Sequence, residues 1–197
     1  FGTHDEGFEA LTLIQTGKSE MVPIVFVDEP GGTYWRDWYD YVTTHLADRG
    51  LIDPADLNLF CVTDSAERAV GEILGFYRNY HSSRFVDGRL VLRLHEAPDD
   101  LQLEALNDEF AGLLESGRIE RAAATSTDES EMPHLPRLRL HFNRRRIGSL
   151  RSLIDRLNEL ALEPAPPFDA RRRAIFDAPL PPGQAEAEED ESEWGLG

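Results

Sequence analysis

The first 80 residues alternate between short apolar runs and stretches whose apolar residues recur with helical spacing. The clearest run is Val22–Val27, which is rich in β-branched residues and predicts a strand buried on both faces. The predicted order is helix 3–16, strand 22–27, helix 33–50, strand 57–62 and helix 65–80. This alternation of strands and helices predicts a parallel sheet with right-handed crossovers.

The pattern changes near Ser82, where alternation between neighbouring residues replaces the helical spacing. Leu90, Leu92 and Leu94 form one alternating set, and Arg137–Phe142 shows the cleanest alternation in the chain. The predicted elements are strand 90–94, helix 99–116, strand 118–125, strand 137–142 and helix 147–157. The order β-α-β-β-α predicts a small α+β sandwich, similar to ACT-like modules, with helices on one face of a mostly antiparallel sheet.

These patterns divide the chain into three predicted regions. Residues 1–81 form an α/β domain, residues 82–162 form the small α+β extension, and residues 163–197 form a tail. The tail is rich in proline and then strongly acidic between Glu186 and Glu193. Because such a segment cannot bury enough apolar surface to form a core, we expect it to be disordered or loosely docked.

Composition narrows the classes of function. The formal net charge of −17 argues against a general nucleic-acid binder, which would need a basic face. No apolar stretch approaches the roughly 18 residues of a membrane span, so no membrane association is expected. The single cysteine, Cys61, excludes an internal disulfide framework. Its apolar neighbours predict an inert buried thiol in a reducing compartment.

The opening segment Phe1–Glu6 has the composition of a turn that leads into a helix. Gly2 permits a tight turn, and Thr3 with Glu6 three residues later fits a capping box. A glycine turn at a helix N-terminus is also a place where backbone N–H groups hold an anion. From these residues alone the segment is either a helix cap or the edge of a phosphate-binding loop.

Several segments in register resemble the LOG (LONELY GUY) family, long labelled lysine decarboxylase-like. Phe1–Glu6 resembles the end of the family motif Pro-Gly-Gly-any-Gly-Thr-any-any-Glu. Further resemblances lie in Phe8–Lys18, Val22–Val27, Arg49–Ile52 and, for a bacterial subgroup with a C-terminal extension, Phe76–Ser82. The resemblance covers roughly residues 1–160. It implies that residues 1–81 are the C-terminal half of a Rossmann-like, doubly wound parallel sheet.

The resemblance also implies an activity and a set of site residues. The family hydrolyses the N-glycosidic bond of nucleoside 5′-monophosphates, which releases a free base and ribose 5-phosphate. On this sequence Gly2 and Thr3 correspond to phosphate-binding positions, and Glu6 corresponds to the catalytic carboxylate. Glu9 shares a helix face with Glu6 and is either a site residue or a favourable acid near the helix start. The resemblance further implies a cytoplasmic homo-oligomer that needs no cofactor.

Parts of the family pattern have no counterpart in the sequence. The Pro-Gly-Gly that should precede Phe1 is missing, as are the earlier glycine-rich phosphate loop and the arginine between the two motifs. We therefore expect the C-terminal portion of a longer protein, with little or no turnover by itself. Two other hypotheses stay open: a non-catalytic nucleotide- or cofactor-binding carrier of the same fold, and a ligand sensor in the extension.

Other polar and aromatic candidates carry weaker signals. Asp28 and Glu29 follow the first predicted strand and are possible residues of the substrate rim. The aromatic residues of the second helix, Trp35, Trp38 and Tyr39, either contact a base or belong to the core. The six histidines lack metal-ligand spacing, so no metal site is expected. The run Arg144–Arg146 is either a turn surface or a phosphate contact, and Arg171–Arg173 is predicted to be solvated.

Overall fold

A computed structural model describes residues 1–123 and 132–161. Within these ranges the chain forms five α-helices and six strands. In chain order they are α1 (Gly2–Gln15), β1 (Ile24–Val27), α2 (Tyr34–Val42), β2 (Phe60–Thr63), α3 (Ala66–Phe76), β3 (Tyr80–Val86), β4 (Arg89–Leu94), α4 (Asp100–Glu109), β5 (Leu114–Ala122), β6 (Arg137–Phe142) and α5 (Ile147–Leu160). A π-helical segment, Thr43–Ala47, extends α2, and 3₁₀ segments cover Pro54–Leu59 and Ala111–Leu113.

The first sheet consists of β1 and β2, which pair in parallel with Ile24 opposite Phe60 and Val27 opposite Thr63. An aromatic cluster covers one face, because Phe26 stacks on Trp35 with ring centroids 4.3 Å apart and meets Trp38 edge-on at 4.9 Å. Strand β1 is shorter than the predicted strand 22–27, and the prediction that it is buried on both faces is wrong, because only Phe26 is fully buried and Val27 is exposed. Among the described residues β1 pairs only with β2, so its second edge is unpaired there.

Glycine at position 7 allows α1 to pack on this aromatic cluster. A Cβ at Gly7 would lie 3.2 Å from Cε1 of Phe26, so a larger residue would push the helix away from the sheet. Ile14, two turns later, is also buried on this face of α1. Helix α3 packs against both strands. On the aromatic face, Phe8 of α1 meets Trp38 of α2 with ring centroids 5.3 Å apart. The predicted α/β layering is therefore present in the first 76 residues.

The second sheet has four antiparallel strands in the order β3-β4-β6-β5. It contains one strand more than the predicted β-α-β-β-α order, because β3 forms between the predicted helix 65–80 and the predicted strand 90–94, where no strand was expected. The turn between β3 and β4 is Asp87-Gly88, and both residues have positive φ, 49° and 77°. This two-residue turn is the type I′ geometry that joins tightly twisted hairpins. The mixed α/β class, with one parallel and one antiparallel sheet, is confirmed.

Helix α5 packs against β3 of the second sheet and against α1, α3 and the Pro54–Leu59 segment of the first region. Its Gly148 lies so close to the Pro54–Leu59 segment that a Cβ there would overlap the carbonyl oxygen of Ala55. Next to this contact, Arg146 pairs with Asp53 at 2.8 Å. The apolar residues of both sheets belong to one continuous core, and the described residues form a single compact unit. The proposed boundary at residues 81 and 82 falls inside β3, and the division into functional domains stays a prediction.

Two buried asparagine side chains form hydrogen bonds with the backbone where α3 leads into β3. Asn158 Oδ1 accepts hydrogen bonds from the N–H groups of Asn79 and Tyr80, both at 2.8 Å. The Asn158 side-chain amide donates to the Phe76 carbonyl at 2.6 Å, and the Asn79 side chain donates to the Leu157 carbonyl. We call Asn79 and Asn158 the asparagine junction. The backbone amides of Asn79 and Tyr80 and the Phe76 carbonyl thus have buried side-chain partners, which join the end of α3 and the start of β3 to α5.

Candidate functional site

The start of α1 has backbone N–H groups that no side chain caps. Phe1 is the N-cap, and its carbonyl accepts from the amides of His4 and Asp5, both at 3.1 Å. The predicted capping box of Thr3 and Glu6 is wrong, because the helix begins earlier and Thr3 lies inside the first turn. The amides of Gly2 and Thr3 therefore precede the first intrahelical donor and are available to a ligand.

The acidic residues of α1 point away from the protein. Glu6 and Glu9 are exposed, and their carboxylates form no hydrogen bond or ion pair with the part of the chain that the structure describes. Glu6 follows Gly2 by four residues and Thr3 by three, so its side chain lies one turn below both positions on the same side of the helix. Gly7, by contrast, faces the core. The residues predicted for phosphate and sugar binding are therefore neighbours on one exposed surface.

His4 places this surface beside the loop that follows β1. Its ring lies 5.2 Å from the Tyr34 ring and 5.6 Å from the Trp35 ring, centroid to centroid. Both aromatic residues stand at the beginning of α2, directly after that loop. The start of α1 thus lies at the carboxyl ends of the parallel strands, the edge at which α/β proteins bind ligands.

The loop from β1 to α2 is fixed by Asp28 and two glycines. Both carboxylate oxygens of Asp28 lie within hydrogen-bond distance of the Trp35 amide, at 3.2 and 3.1 Å, so Asp28 caps α2. Gly31 has a φ of +78°, and a Cβ at Gly32 would lie 2.9 Å from the Glu29 carbonyl oxygen. Positive φ and this close approach both favour glycine. Glu29 itself is exposed.

A cavity of about 220 Å³ opens between this loop, α2 and the end of β2. We call it the strand-end cavity; its lining residues are Asp28, Gly32, Arg36, Tyr39, Val62, Thr63 and Asp64. Of the residues singled out from the sequence, Asp28 and Tyr39 line it, whereas Gly2, Thr3, Glu6, Glu9 and Glu29 do not. Its charged lining residues are Arg36, Asp64 and Asp28, and the Asp28 carboxylate is already engaged with the Trp35 amide.

Asp64 is held as a carboxylate. The Gly31 amide donates to Asp64 Oδ2 at 3.1 Å, and this bond, together with its own backbone amide and the nearby Arg36 and Arg68, lowers the pKa of Asp64. Arg36 is exposed and forms no hydrogen bond or ion pair within residues 1–123 and 132–161. The cavity therefore combines an ionised acceptor with an unpaired guanidinium donor and the ring of Tyr39.

The remaining sequence candidates lie elsewhere or belong to the core. Trp35 and Trp38 are buried in the aromatic cluster. Burial, with the charge of Glu72, raises the pKa of the partly buried Cys61 thiol. The guanidinium of Arg144 lies 3.9 Å from the centre of the exposed Phe85 ring, so part of the arginine run covers a neighbouring side chain. Arg171–Arg173 and residues 163–197 lie outside the described residues.

Within residues 1–123 and 132–161, no three histidine, cysteine, aspartate or glutamate side chains are grouped so that they could hold a metal ion. The same part of the chain contains no helix with the length and apolar character of a membrane span.

Residues 1–73 match the family model described as possible lysine decarboxylase. This match supports a relationship to the LOG, or lysine decarboxylase-like, family. It covers α1 through most of α3 and ends before the antiparallel sheet begins at Tyr80. Comparison with curated proteins gives no significant match. The LOG-like segment thus contains both the start of α1 and the strand-end cavity.

Proposed function

We propose that the LOG-like segment forms the phosphate- and ribose-binding edge of a nucleoside 5′-monophosphate phosphoribohydrolase. The reaction is hydrolysis of the N-glycosidic bond to a free base and ribose 5-phosphate, without a cofactor, in a cytoplasmic homo-oligomer. One observation carries the proposal: the start of α1 offers uncapped amides and an unpaired glutamate on one exposed side, at the carboxyl ends of parallel strands.

The phosphate is bound by the first turn of α1. The amides of Gly2 and Thr3 have no intrahelical partner, and the helix dipole adds a positive field at this end. The Thr3 hydroxyl supplies a further donor. Because the chain as a whole is strongly acidic, such a local group of donors is needed to hold a dianion.

Glu6 acts on the sugar. Water attacks the anomeric carbon while the bond from that carbon to the base nitrogen breaks, and the leaving base takes up a proton. Positive charge develops on the ribose in the transition state, and a carboxylate one turn below the phosphate stabilises it or orients the water. Asp28 and Glu29 form the rim of the same edge, with Asp28 acting mainly through its cap on α2.

The phosphate step is tested by a pair of substitutions at Gly2. Gly2→Pro removes one amide donor but suits the first helical position, whereas Gly2→Ala keeps the donor and meets no atom within 4 Å. We expect Gly2→Pro to weaken binding of ribose 5-phosphate about tenfold by calorimetry, since a charge-assisted hydrogen bond is lost. Equal affinity of the proline and alanine variants would contradict phosphate binding here.

The catalytic step is tested by Glu6→Gln, with Asp5→Asn as its control because Asp5 points about 100° away on the helix. Chromatography measures base release from AMP and CMP. Since the family's arginine and glycine-rich loop have no counterpart in residues 1–197, turnover is expected to be low, and the variants are compared both in this chain and in an N-terminally extended form.

In the more active form we expect Glu6→Gln to lose about 100-fold in turnover with nucleotide binding retained. Unchanged turnover would remove Glu6 from the mechanism. Nucleotide binding without hydrolysis in both forms would favour a non-catalytic carrier. Equal activity of the two forms would contradict the expectation of low turnover for the chain alone.

A further inference from the structure

The strand-end cavity has a size and lining suited to one small planar group. Its volume of about 220 Å³ is below the roughly 300–1,000 Å³ of pockets for larger ligands. Tyr39 forms an aromatic wall; its ring packs edge-on against Phe60 with centroids 5.9 Å apart and is thereby oriented. Val62 adds an apolar surface.

Apart from Asp28, whose carboxylate accepts from the Trp35 amide, the charged groups of the cavity are one acceptor, Asp64, and one donor, Arg36. Asp64 is an ionised acceptor; its Oδ2 accepts from Gly31, and a carboxylate has capacity for further donors. Arg36 is a donor whose charge acts on Asp64 without forming an ion pair with it. A planar ligand between them must therefore present both a donor and an acceptor on its edge.

Hydrogen bonds within the protein hold the wall of the cavity in place. Asp28 holds the start of α2, and the Gly31 amide holds Asp64, so the loop and the end of β2 are joined. The Thr63 hydroxyl, at the end of β2, accepts a hydrogen bond from the Ser65 amide at 3.1 Å and is therefore already engaged within the protein. The groups left over for recognition are Arg36, Tyr39 and Asp64.

We propose that the strand-end cavity binds a nucleobase that carries an exocyclic amino group, with Tyr39 against its ring, Asp64 accepting from the amino group and Arg36 donating to a ring nitrogen or oxygen. Carboxylates accept from base amino groups and arginine donates to base acceptors in other recognition sites, and aromatic rings stack on bases. The inference rests on the proposed function, because that reaction brings a nucleobase to this edge of the sheet.

Binding of free bases tests the inference without requiring turnover. Calorimetry or ligand-detected NMR compares cytosine with uracil and adenine with hypoxanthine, pairs in which an amino group replaces a keto oxygen. We expect the unaltered chain to bind the amino member of each pair at least tenfold more tightly. Equal binding within the pairs, or no binding of any base up to its solubility, would overturn the proposal.

Asp64→Asn gives the sharpest variant. The asparagine oxygen still accepts from Gly31, so the loop is retained, while its NH₂ group is a donor that suits a keto oxygen. We expect the preference to reverse, with uracil and hypoxanthine bound more tightly than their amino counterparts. Asp40→Asn, on the exposed side of α2, serves as the matched control and should keep the original preference. An unchanged preference in Asp64→Asn would overturn the proposal.

Substitutions of Tyr39 separate the ring from its hydroxyl. Tyr39→Ala should weaken binding of the amino bases about tenfold, and Tyr39→Phe should retain it, whereas Tyr41→Ala, on the exposed side of α2, should have no effect. Thermal melting checks that each variant is folded. If bases bind but AMP and CMP are not hydrolysed in the assay that tests Glu6, only the proposed function is contradicted. If the nucleotides are hydrolysed but Asp64→Asn and Tyr39→Ala leave the affinity for bases unchanged, only the base-binding inference is contradicted.

Discussion

Polar side chains are buried and hydrogen-bonded at the asparagine junction. At the edge that comprises the start of α1 and the strand-end cavity, by contrast, some are exposed and unpaired within the part of the chain that the structure describes. At the junction, Asn79 and Asn158 are buried, and their side chains connect to backbone groups of α3, β3 and α5. At the edge, Glu6 and Arg36 are exposed and unpaired within the described residues. Buried polar groups with complete partners fix a structure, whereas available donors and acceptors at a cleft suit a ligand.

The largest effect on stability is expected at the contact that holds α5 against the Pro54–Leu59 segment. Gly148→Ala should lower the free energy of unfolding by about 3 kcal/mol, because the new methyl group overlaps the Ala55 carbonyl and backbone must move. Gly75→Ala is the control, since a Cβ there meets nothing within 4 Å and alanine favours the helix. Denaturant unfolding measures both. A Gly148→Ala variant as stable as Gly75→Ala would show that the contact is loose.

The next effect tests the asparagine junction. Asn158→Leu leaves the amides of Asn79 and Tyr80 without their acceptor, and we expect a loss of roughly 2–3 kcal/mol in the free energy of unfolding. Glu159→Gln, at the exposed neighbouring position, should change stability by less than about 0.5 kcal/mol. If the two variants unfold at the same denaturant concentration, the junction does not stabilise the fold.

A smaller effect appears only at alkaline pH. Burial raises the pKa of Tyr80 to about 12, although its hydroxyl donates to Ser83 Oγ at 3.0 Å. The pKa of tyrosine in the unfolded chain is about 10, so the folded state holds this proton more tightly. The contribution of Tyr80 to the free energy of unfolding is therefore fully present below pH 10 and is lost as pH rises towards 12.

Between pH 9 and pH 12 we expect the unaltered chain to lose roughly 2 kcal/mol more unfolding free energy than Tyr80→Phe. Paired unfolding curves at each pH measure the difference, in which the titration of all other groups cancels. Parallel losses in the two proteins would mean that Tyr80 ionises with an ordinary pKa.

The hydrophobic pattern was sufficient for the elements of the parallel sheet but not for the first strand of the antiparallel one. The spacing of Phe26, Trp35 and Trp38 reports directly on burial, so β1 and α2 were predictable. β3 was missed because His81–Arg84 are polar and no alternation is visible. Asp87-Gly88 was the available signal, since this dipeptide between strands marks a two-residue hairpin turn.

The candidate site was predictable only where function lies on a single element. Gly2, Thr3 and Glu6 are close in sequence, so one helix start relates them. The strand-end cavity joins Arg36 of α2 to Asp64 after β2, and no local pattern connects residues that far apart. From the sequence alone, Asp64 lies just before α3, at the position of a possible helix cap. The structure assigns that role to Ser65, which accepts the Arg68 amide at 3.3 Å.

The position of α5 in the chain has a consequence for the order of folding. The β3–β4 hairpin is closed by a two-residue turn and can form within microseconds from local contacts alone. Helix α5 contacts α1, α3, β3 and the Pro54–Leu59 segment, yet it is the last described element to leave the ribosome. During synthesis the parallel pair β1–β2 and the β3–β4 hairpin can therefore form early, whereas the second sheet is completed by β6, between β4 and β5, only just before α5 arrives.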